Sequence, residues 1–550
     1  MKSDTATPSD RSGWGDTGVT GAWDPLHQPG RDETHWSTVN VGEALPGIAT
    51  PLGWSIWSDI GDRMCRDLSY GIGVFDSAER TQPPPGPDRI ITSFFGRIAM
   101  QSEWLATVGD RMPGTTGALA IAGMLGEAPA SMNFAPTRRR YPVIAYRLPH
   151  AALTMPGRVR RLAPQIDAWW RSEIPRLAEA DLSGAVAIFD NATLRFSETM
   201  TAHGIALFAA ITPLVNALTA LVKRTGIGDV GVLSGTGGAE MSMIEDIWKA
   251  SRGELTLEQV IATQGFHGPL EGEISSRVWR EDPAPVAAVI ERYAATDEDA
   301  SPLARERAAR ERLPQAQAEL LAALPAPVRP AIRLLLNHAA RTIPLRGVGK
   351  ASFLQALDVA RASARRVGEH LTMGGVLADA GDVFYLTTDE IVNGLPGDVQ
   401  SLVGRRRERR AEYQRLELPS WWRGTPRPTV IQRDEPAADE NTMLTGIAAG
   451  SGVVEGPVRV VHDPAVVEVE PGEILVAPTT DPSWASIMFV SSALVVDIGS
   501  VLSHAAVVAR ELGLPCVVNT RTGTRALRDG DLVRVDGSAG TVQLIKRAEK

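Results

Sequence analysis

Apolar residues recur at three- and four-residue spacing from about residue 31 to 420, in stretches such as SPLARERAARERL (Ser301–Leu313) and AELLAALPAPVRPAIRLLLNHAAR (Ala318–Arg341). That is the period of an amphipathic helix, so this region is predicted to be a large, mainly α-helical body. Prolines such as Pro314, Pro325 and Pro327 punctuate its helices. The pattern then changes. LPSWWRGTPRPTVIQRDEPAADEN (Leu418–Asn441) carries four prolines and many charges, and reads as a linker. Beyond it come short β-type runs: GVVEGPVRVV, GEILVAP, ALVVDIG, PCVVNT and DLVRVDGSAGTVQLI. The last reads as a hairpin, with Asp536-Gly537 opening its turn. One helix interrupts these strands, Ser503 to Leu512, closed by Gly513 with Pro515 two residues on. The expected plan is multidomain: a disordered N-terminus (1–30), a helical body (31–420), a Pro-rich linker (421–441) and a C-terminal β/α module (442–550). No internal repeat is visible.

From Thr199 to Val222 no residue carries a formal charge, long enough for a membrane span. The stretch holds His203, Asn216, four threonines and Pro213, all unwelcome in lipid, so a buried core helix is expected. The chain has 56 basic and 65 acidic residues, a net charge of −9, which argues against nucleic acid or an anionic membrane as partner. Two cysteines, Cys65 and Cys516, are too few for a disulfide framework or a cysteine-built zinc site. The polar first residues lack the apolar core of a signal peptide, and a cytoplasmic location is expected.

The segment VVDIGSVLSHAAVVARELGLPCVV (Val495–Val518) carries the most chemistry. A strand runs into Gly499-Ser500, and after a short loop His504 falls in the first turn of a helix whose expected N-cap is Ser503. A helix N-terminus disfavours imidazolium, which keeps the ring nucleophilic at neutral pH. Its free N–H groups would also stabilise a phosphoryl group on that ring, and the small Ala505 and Ala506 leave room for the oxygens. A purely structural histidine would fit the same position.

The whole string decides between them. LSHAAVVARELGLPCVV closely resembles the swivelling phosphohistidine domain of the pyruvate phosphate dikinase, phosphoenolpyruvate synthase and rifampicin phosphotransferase family. There a T/S-H-A-A-V-V-A-R stretch followed by G-x-P-x-V surrounds the phosphorylated histidine. His504 matches that histidine, and Arg510, Gly513 and Pro515 match its neighbours. Gly446–Val461 resembles the domain's opening strands and DGDLVRVDGSAGTVQLI its closing hairpin, so the resemblance covers about residues 444 to 546. One departure is Gly499-Ser500, where the family usually has two glycines. Within the body, His35–Trp57, Phe266–Pro283 and Gly374–Ile391 resemble the acceptor-binding region of rifampicin phosphotransferase-like proteins. The middle segment usually reads G-H-R-G, whereas here it is Phe266-His267-Gly268-Pro269, lacking the arginine.

The resemblance implies a phosphotransferase component that carries an ATP-derived phosphoryl group on His504 and passes it to a hydroxyl of a small alcohol or phenol. Ser503, Ala505 and Arg510 are the expected phosphate-stabilising residues. Such enzymes commonly also contain an ATP-grasp domain, and the first 420 residues offer no such region. The glycine cluster Leu233–Met241 lacks the lysine of a P-loop and reads as a turn. The plan resembles phenylphosphate synthase, in which the ATP-binding part is a separate polypeptide. ATP and Mg2+ are therefore expected mainly through a separate ATP-grasp subunit. The alternatives are phosphoenolpyruvate-dependent transfer, which the lack of a C-terminal barrel disfavours, and a non-catalytic carrier of the same fold.

Among the nine histidines no pair has the H-x-x-x-H spacing of a helical metal site, and no metal centre is expected. His267 with Glu271 and Glu273 is the candidate second station, a histidine near carboxylates that can take a proton from an acceptor hydroxyl. A packing histidine on a loop is the other reading. Arg277 and Arg280 follow as substrate-binding candidates, along with Glu271 and Glu273. The RRRERR run (Arg405–Arg410), interleaved with Glu408, reads as a solvated helix face, and Arg138-Arg139-Arg140 reads likewise. Trp54, Trp57 and Trp104 read as core of the body, with an apolar acceptor pocket as the other reading, and Cys516 as a small core residue.

Overall fold

The computed structural model describes residues 23–548, apart from 40, 42–44, 46, 126–128, 227–238, 295–300, 431–442, 463–468, 471, 481–483, 485–486, 489–490 and 500–502. Most of the expected disordered tail, nearly all of the 233–241 glycine cluster, Ser500 and nearly all of the linker from 431 onward lie outside these residues.

The helical period holds through the body. The helices that position the candidate site are α1 (Pro51–Gly71), α2 (Tyr141–Glu179), α3 (Leu182–Ala206), α4 (Thr212–Thr225), α5 (Ala239–Ser251), α6 (Leu257–Gln264), α7 (Ala284–Ala294), α8 (Pro302–Ala322), α9 (Leu345–Met373) and α10 (Val399–Tyr413). The axis of the body is α9, which packs along both α2 and α3. Its middle is buried on nearly every side, from Ser352 to Arg361. The apolar run is a core helix on one side. Ala185, Phe189, Ala192 and Phe196 are buried, and Phe196 meets Trp57 of α1 and Phe353 of α9 edge-on. Leu182–Thr225 is long and apolar enough to cross a membrane by length and composition, with 39% of its most apolar window buried. A single π-turn, Leu207–Ile211, joins α3 to α4 just ahead of Pro213, where the helical ladder must absorb a missing N–H.

The body is mainly helical, but several finer expectations are corrected. It holds a small antiparallel sheet made from β1 (His35–Ser37), β2 (Ile91–Phe94) and β3 (Arg97–Gln101), in the order β2-β3-β1-β5. The last member comes from the supposed linker, where β4 (Leu416–Glu417), β5 (Trp421–Arg423) and β6 (Thr429–Val430) form, β5 pairing with β1 and β4 with β6. Trp422 and Trp36 both pack edge-on to Phe94, so aromatic burial outweighs the linker-like proline content. Pro314 lies inside α8 instead of breaking it. The tail is packed from Trp23 onward: Leu26 is buried, and Tyr413 donates to Asp24 at 2.6 Å. The RRRERR run is a solvated face only in part: Arg405, Arg407 and Glu408 are exposed, but the run is also tied to the body. Arg406 is 1% exposed and forks onto Glu390, Arg407 pairs with Asp382, Arg410 donates to the carbonyls of Ile48 and Ala49, and Arg405 and Arg409 lie over Trp23. Arg140 likewise donates to the carbonyls of Gly73 and Phe75. Trp54, Trp57, Trp104 and Cys516 are core, and burial pushes the Cys516 thiol up to about 12.

The C-terminal strands follow the alternation seen in sequence. They are β7 (Met443–Thr445), β8 (Ile447–Gly450), β9 (Val453–Val460), β10 (Ile474–Ala477), β11 (Ala493–Val496), β12 (Cys516–Val518), β13 (Leu532–Asp536) and β14 (Thr541–Lys546). They form one mixed sheet, ordered β7-β14-β13-β9-β10-β11-β12-β8, with a parallel core from β9 to β12. The β13–β14 hairpin turns where expected, Asp536 accepting from the N–H groups of Ser538 and Ala539. One face of this sheet closes on its own apolar cluster. The other carries helix α11 (His504–Leu512) and joins body helices α5, α6 and α7 in a shared core, in which Ala505, Ala506 and Val508 meet a cluster containing Ile244, Trp248 and Trp279.

Two glycines in helices should respond oppositely to alanine. At Gly368 of α9 a Cβ would lie 3.0 Å from the Ala380 carbonyl carbon, whereas nothing stands within 4 Å at Gly404 of α10. Gly368→Ala is expected to cost about 1–3 kcal/mol through overpacking. Gly404→Ala should gain about 0.5–1 kcal/mol from reduced backbone entropy. Urea unfolding checks both, and equal effects would refute the close approach. Because β5 is held in the body sheet, limited proteolysis should spare Trp421–Arg423 and cut beyond Val430.

Candidate active site

Helix α11 begins as its sequence dictates. Ser503, extended at the N-cap, accepts from the Ala506 N–H at 3.3 Å, and Gly513 closes the helix in the left-handed conformation at φ 66°. His504 and Ala505 therefore stand in the first turn, whose N–H groups have no acceptors within the helix. The His504 side chain is buried at 3% exposure. Its Nδ1 lies 3.2 Å from the Thr480 hydroxyl, and its Nε2 is buried with no hydrogen-bond partner among the described residues. Burial, reinforced by the Lys350 ammonium, drives the imidazole down to about 3 against the pull of Glu271; Arg346 and His267 push the same way as Lys350. The ring is thus neutral, with one nitrogen held and the other available.

These charges belong to the body. Lys350 and Arg346 lie one turn apart near the start of α9. The loop between α6 and α7 brings His267 and Glu271. Glu271 divides its two oxygens, with Oε1 2.6 Å from His267 Nδ1 and Oε2 3.1 Å from Lys350 Nζ. Burial alone would raise the Glu271 carboxyl, but Lys350 and His267 outweigh it and hold it at about 2. An ionised carboxylate only accepts, so His267 carries its proton on Nδ1 and turns its lone pair to Nε2. Phe266 and Trp279 flank the His267 ring at 4.3 and 5.7 Å.

The loop is pinned to α9. Arg361 donates to the carbonyl oxygens of Glu271 (3.0 Å) and Glu273 (3.2 Å), and Arg365 to those of Ser275 and Ser276. Trp57 Nε1 donates to the Gly272 carbonyl at 2.9 Å.

The structure therefore brings together His504, Ser503, Ala505, His267 and Glu271, and separates the other candidates. Glu273 faces the start of α1, where it accepts from the Thr50 N–H and hydroxyl. Arg280 is committed to Asp358 and Glu281, and Arg277 points outward. Arg510 sits in the last turn of α11, about 9 Å along the axis from His504. Sequence reading missed Thr480, Arg346, Lys350 and His203. His203 packs on α9, where a Cβ on Gly349 would lie 2.6 Å from its Nδ1, and burial with Arg346 and Lys350 drives it down to about 3. The available signal was Arg346-x-x-x-Lys350, two cations one turn apart in the first turns of a helix with no acidic residue beside them.

Comparisons with known proteins fall on the same two regions. Residues 469–540 match the PEP-utilising enzyme mobile domain, and residues 254–347 match the rifampicin phosphotransferase fourth domain. An uncharacterized protein of Mycobacterium tuberculosis is 27% identical over 98% of this chain and 64% of its own length. The uncharacterized phosphotransferase YvkC of Bacillus subtilis is 37% identical over 33% of this chain and 23% of its own length. A rifampicin phosphotransferase of a Streptomyces species is 38% identical over 34% of this chain and 22% of its own length. The chain spans less than two thirds of the length of these relatives. By these matches His504 lies in a region similar to the PEP-utilising enzyme mobile domain, and His267, Glu271 and Arg346 lie in a region similar to the rifampicin phosphotransferase fourth domain.

Proposed function

We propose that this chain is the phosphoryl-carrying and acceptor-binding part of a dikinase-type phosphotransferase. His504 Nε2 receives a phosphoryl group derived from ATP and passes it to a hydroxyl of a small alcohol or phenol. ATP and Mg2+ are handled by a separate ATP-grasp subunit. The C-terminal sheet with α11 moves as a unit relative to the body, carrying the group from the partner to the body in two half-reactions.

One observation carries this reading: the unpartnered Nε2 of His504 is buried at a helix N-terminus within electrostatic reach of Lys350, Arg346 and the His267–Glu271 pair. The two cations offset the charge of a phosphoryl group, as do the free N–H groups of the first turn. His267 Nε2 takes the proton of the attacking hydroxyl. The P–N bond returns its electron pair to His504 Nε2, and with Nδ1–H donated to Thr480 the ring leaves as neutral imidazole.

Labelled ATP with an ATP-grasp partner should place an acid-labile, base-stable label on the wild type and none on His504→Ala or His504→Asn. The chain without the partner should take up no label from ATP. His267→Ala should still be charged but transfer about 10²–10⁴-fold more slowly, the usual range for a lost general base. Label on His504→Ala would sink the carrier role. Wild-type turnover by His267→Ala would remove only the base.

A pH test follows from the neutral ring. Its pKa in the folded chain, about 3, is below the ordinary 6.5, so the unfolded chain binds more protons between these values. His504 thus adds stability that is fully present above about 6.5 and lost as pH falls towards 3, by at most about 1.4 kcal/mol per pH unit. Urea unfolding between pH 7.5 and 5 should show a shallower pH slope for His504→Asn than for wild type. Identical slopes would mean that the ring is not buried in solution.

A further inference from the structure

One carboxylate serves two partners at this site, a histidine ring and an ammonium. Glu271 Oε1 holds the His267 ring at 2.6 Å, and Oε2 holds Lys350 at 3.1 Å. Glu271 is 6% exposed, so it has little water with which to replace either partner. Lys350 also reaches His504 electrostatically, ahead of every other charged group. It is a flexible point charge on a long stem, with its side chain 26% exposed, and can turn between two anions.

We propose that Lys350 exchanges Glu271 for the phosphoryl group when phosphorylated His504 docks, and that Glu271, relieved of the ammonium, then acts through His267 as a positioning residue that strengthens the base. Glu271 touches neither substrate nor phosphorus. It fixes the His267 tautomer and supplies the negative charge that stabilises the imidazolium formed during transfer. While Lys350 is paired to it, part of that charge is neutralised. A dianionic phosphoryl group on Nε2 competes for the ammonium more strongly than a monoanionic carboxylate at similar distance. The base is therefore strengthened only when there is a phosphoryl group to transfer. The charged and titratable groups around the His267 ring come from its own loop (Glu271), from α9 (Lys350 and Arg346) and from α11 (the neutral His504).

This inference rests on the carrier reading above but is tested without an acceptor or an ATP-binding partner. Potassium phosphoramidate charges the full chain chemically, and phosphopeptide mass spectrometry follows the His504 peptide as water discharges it. In that step the water oxygen bonds to phosphorus as the P–Nε2 bond breaks. The water proton goes to His267 Nε2, and the P–N electron pair returns to His504. Protonated His267 cannot accept the proton, so the discharge rate has an acidic limb.

The two variants should affect the rate differently. Glu271→Gln removes the negative charge, favours the neutral ring and shifts the half-maximal rate about one unit to lower pH, the usual effect of a neighbouring opposite charge. Lys350→Met takes the ammonium from the phosphoryl group, so the plateau rate falls at least tenfold, while the limb stays where it is because in the charged chain Glu271 is already left to His267. Lys350→Arg should restore the plateau in part, and Glu271→Asp should restore the limb. Lys350 is partly exposed, so its variant keeps the test alive if Glu271→Gln fails to fold. A limb moved to higher pH with an unchanged plateau in Lys350→Met, no shift in Glu271→Gln, or an unchanged limb in His267→Ala would each overturn the exchange. If phosphoramidate leaves no label on the His504 peptide, the carrier reading fails instead.

Discussion

The candidate site depends on a buried carboxylate that takes no part in its chemistry. Asp358, in the middle of α9, is fully buried and binds Arg280, Arg361 and the Trp170 indole. Burial opposes its ionisation, and Arg280 with Arg361 overcomes that and holds it below the ordinary range. Arg361 can then remain charged at 1% exposure and donate to the carbonyls of Glu271 and Glu273. Removing one member of such a network leaves an uncompensated buried charge, at about 3–5 kcal/mol. The same helix therefore fixes the loop from below and presents Arg346 and Lys350 one and two turns from its start. Position and charge come from one rigid element.

That arrangement explains why the shared core beside His504 is apolar while the site is polar. Ala505, Ala506 and Val508 pack against the α5–α7 side of the body, where area burial holds the C-terminal sheet in place with little directional demand. Ring orientation is left to a few polar contacts: Thr480 on His504 and Glu271 on His267.

Much of this was legible in the sequence, for particular physical reasons. The His504 helix announces both of its ends, by Ser503 at the cap and Gly513 at the close. The hairpin is legible because Asp536 can bond only to the N–H groups that follow it. His267 and Glu271 lie four residues apart, and their pairing could be expected without the fold. The remaining residues meet only through tertiary structure. Lys350 is 79 positions from Glu271, and Thr480 is 24 from His504, so no local spacing links either pair. Arginine runs misled for a related reason. Arg406 is charged in any sequence scale, but it is buried because Glu390 and two backbone carbonyls happen to face it. The Trp421–Arg423 strand was hidden by its prolines, since pairing to His35–Ser37 spans nearly the whole body.

That strand has a consequence for encounter statistics. Pairing of β5 with β1, and of β6 with β4, fixes the tether's origin at Val430, while the C-terminal sheet begins at Met443. A fully extended chain of that length reaches roughly 45 Å. Under the carrier role proposed above, a domain on so short a leash would meet its docking face at an effective concentration of order millimolar. An intrinsic affinity of order millimolar would then suffice to keep it docked about half the time, and a free-energy change of about 1.4 kcal/mol would shift that balance tenfold. On that reading the contact between the sheet and the body need not be strong to be occupied.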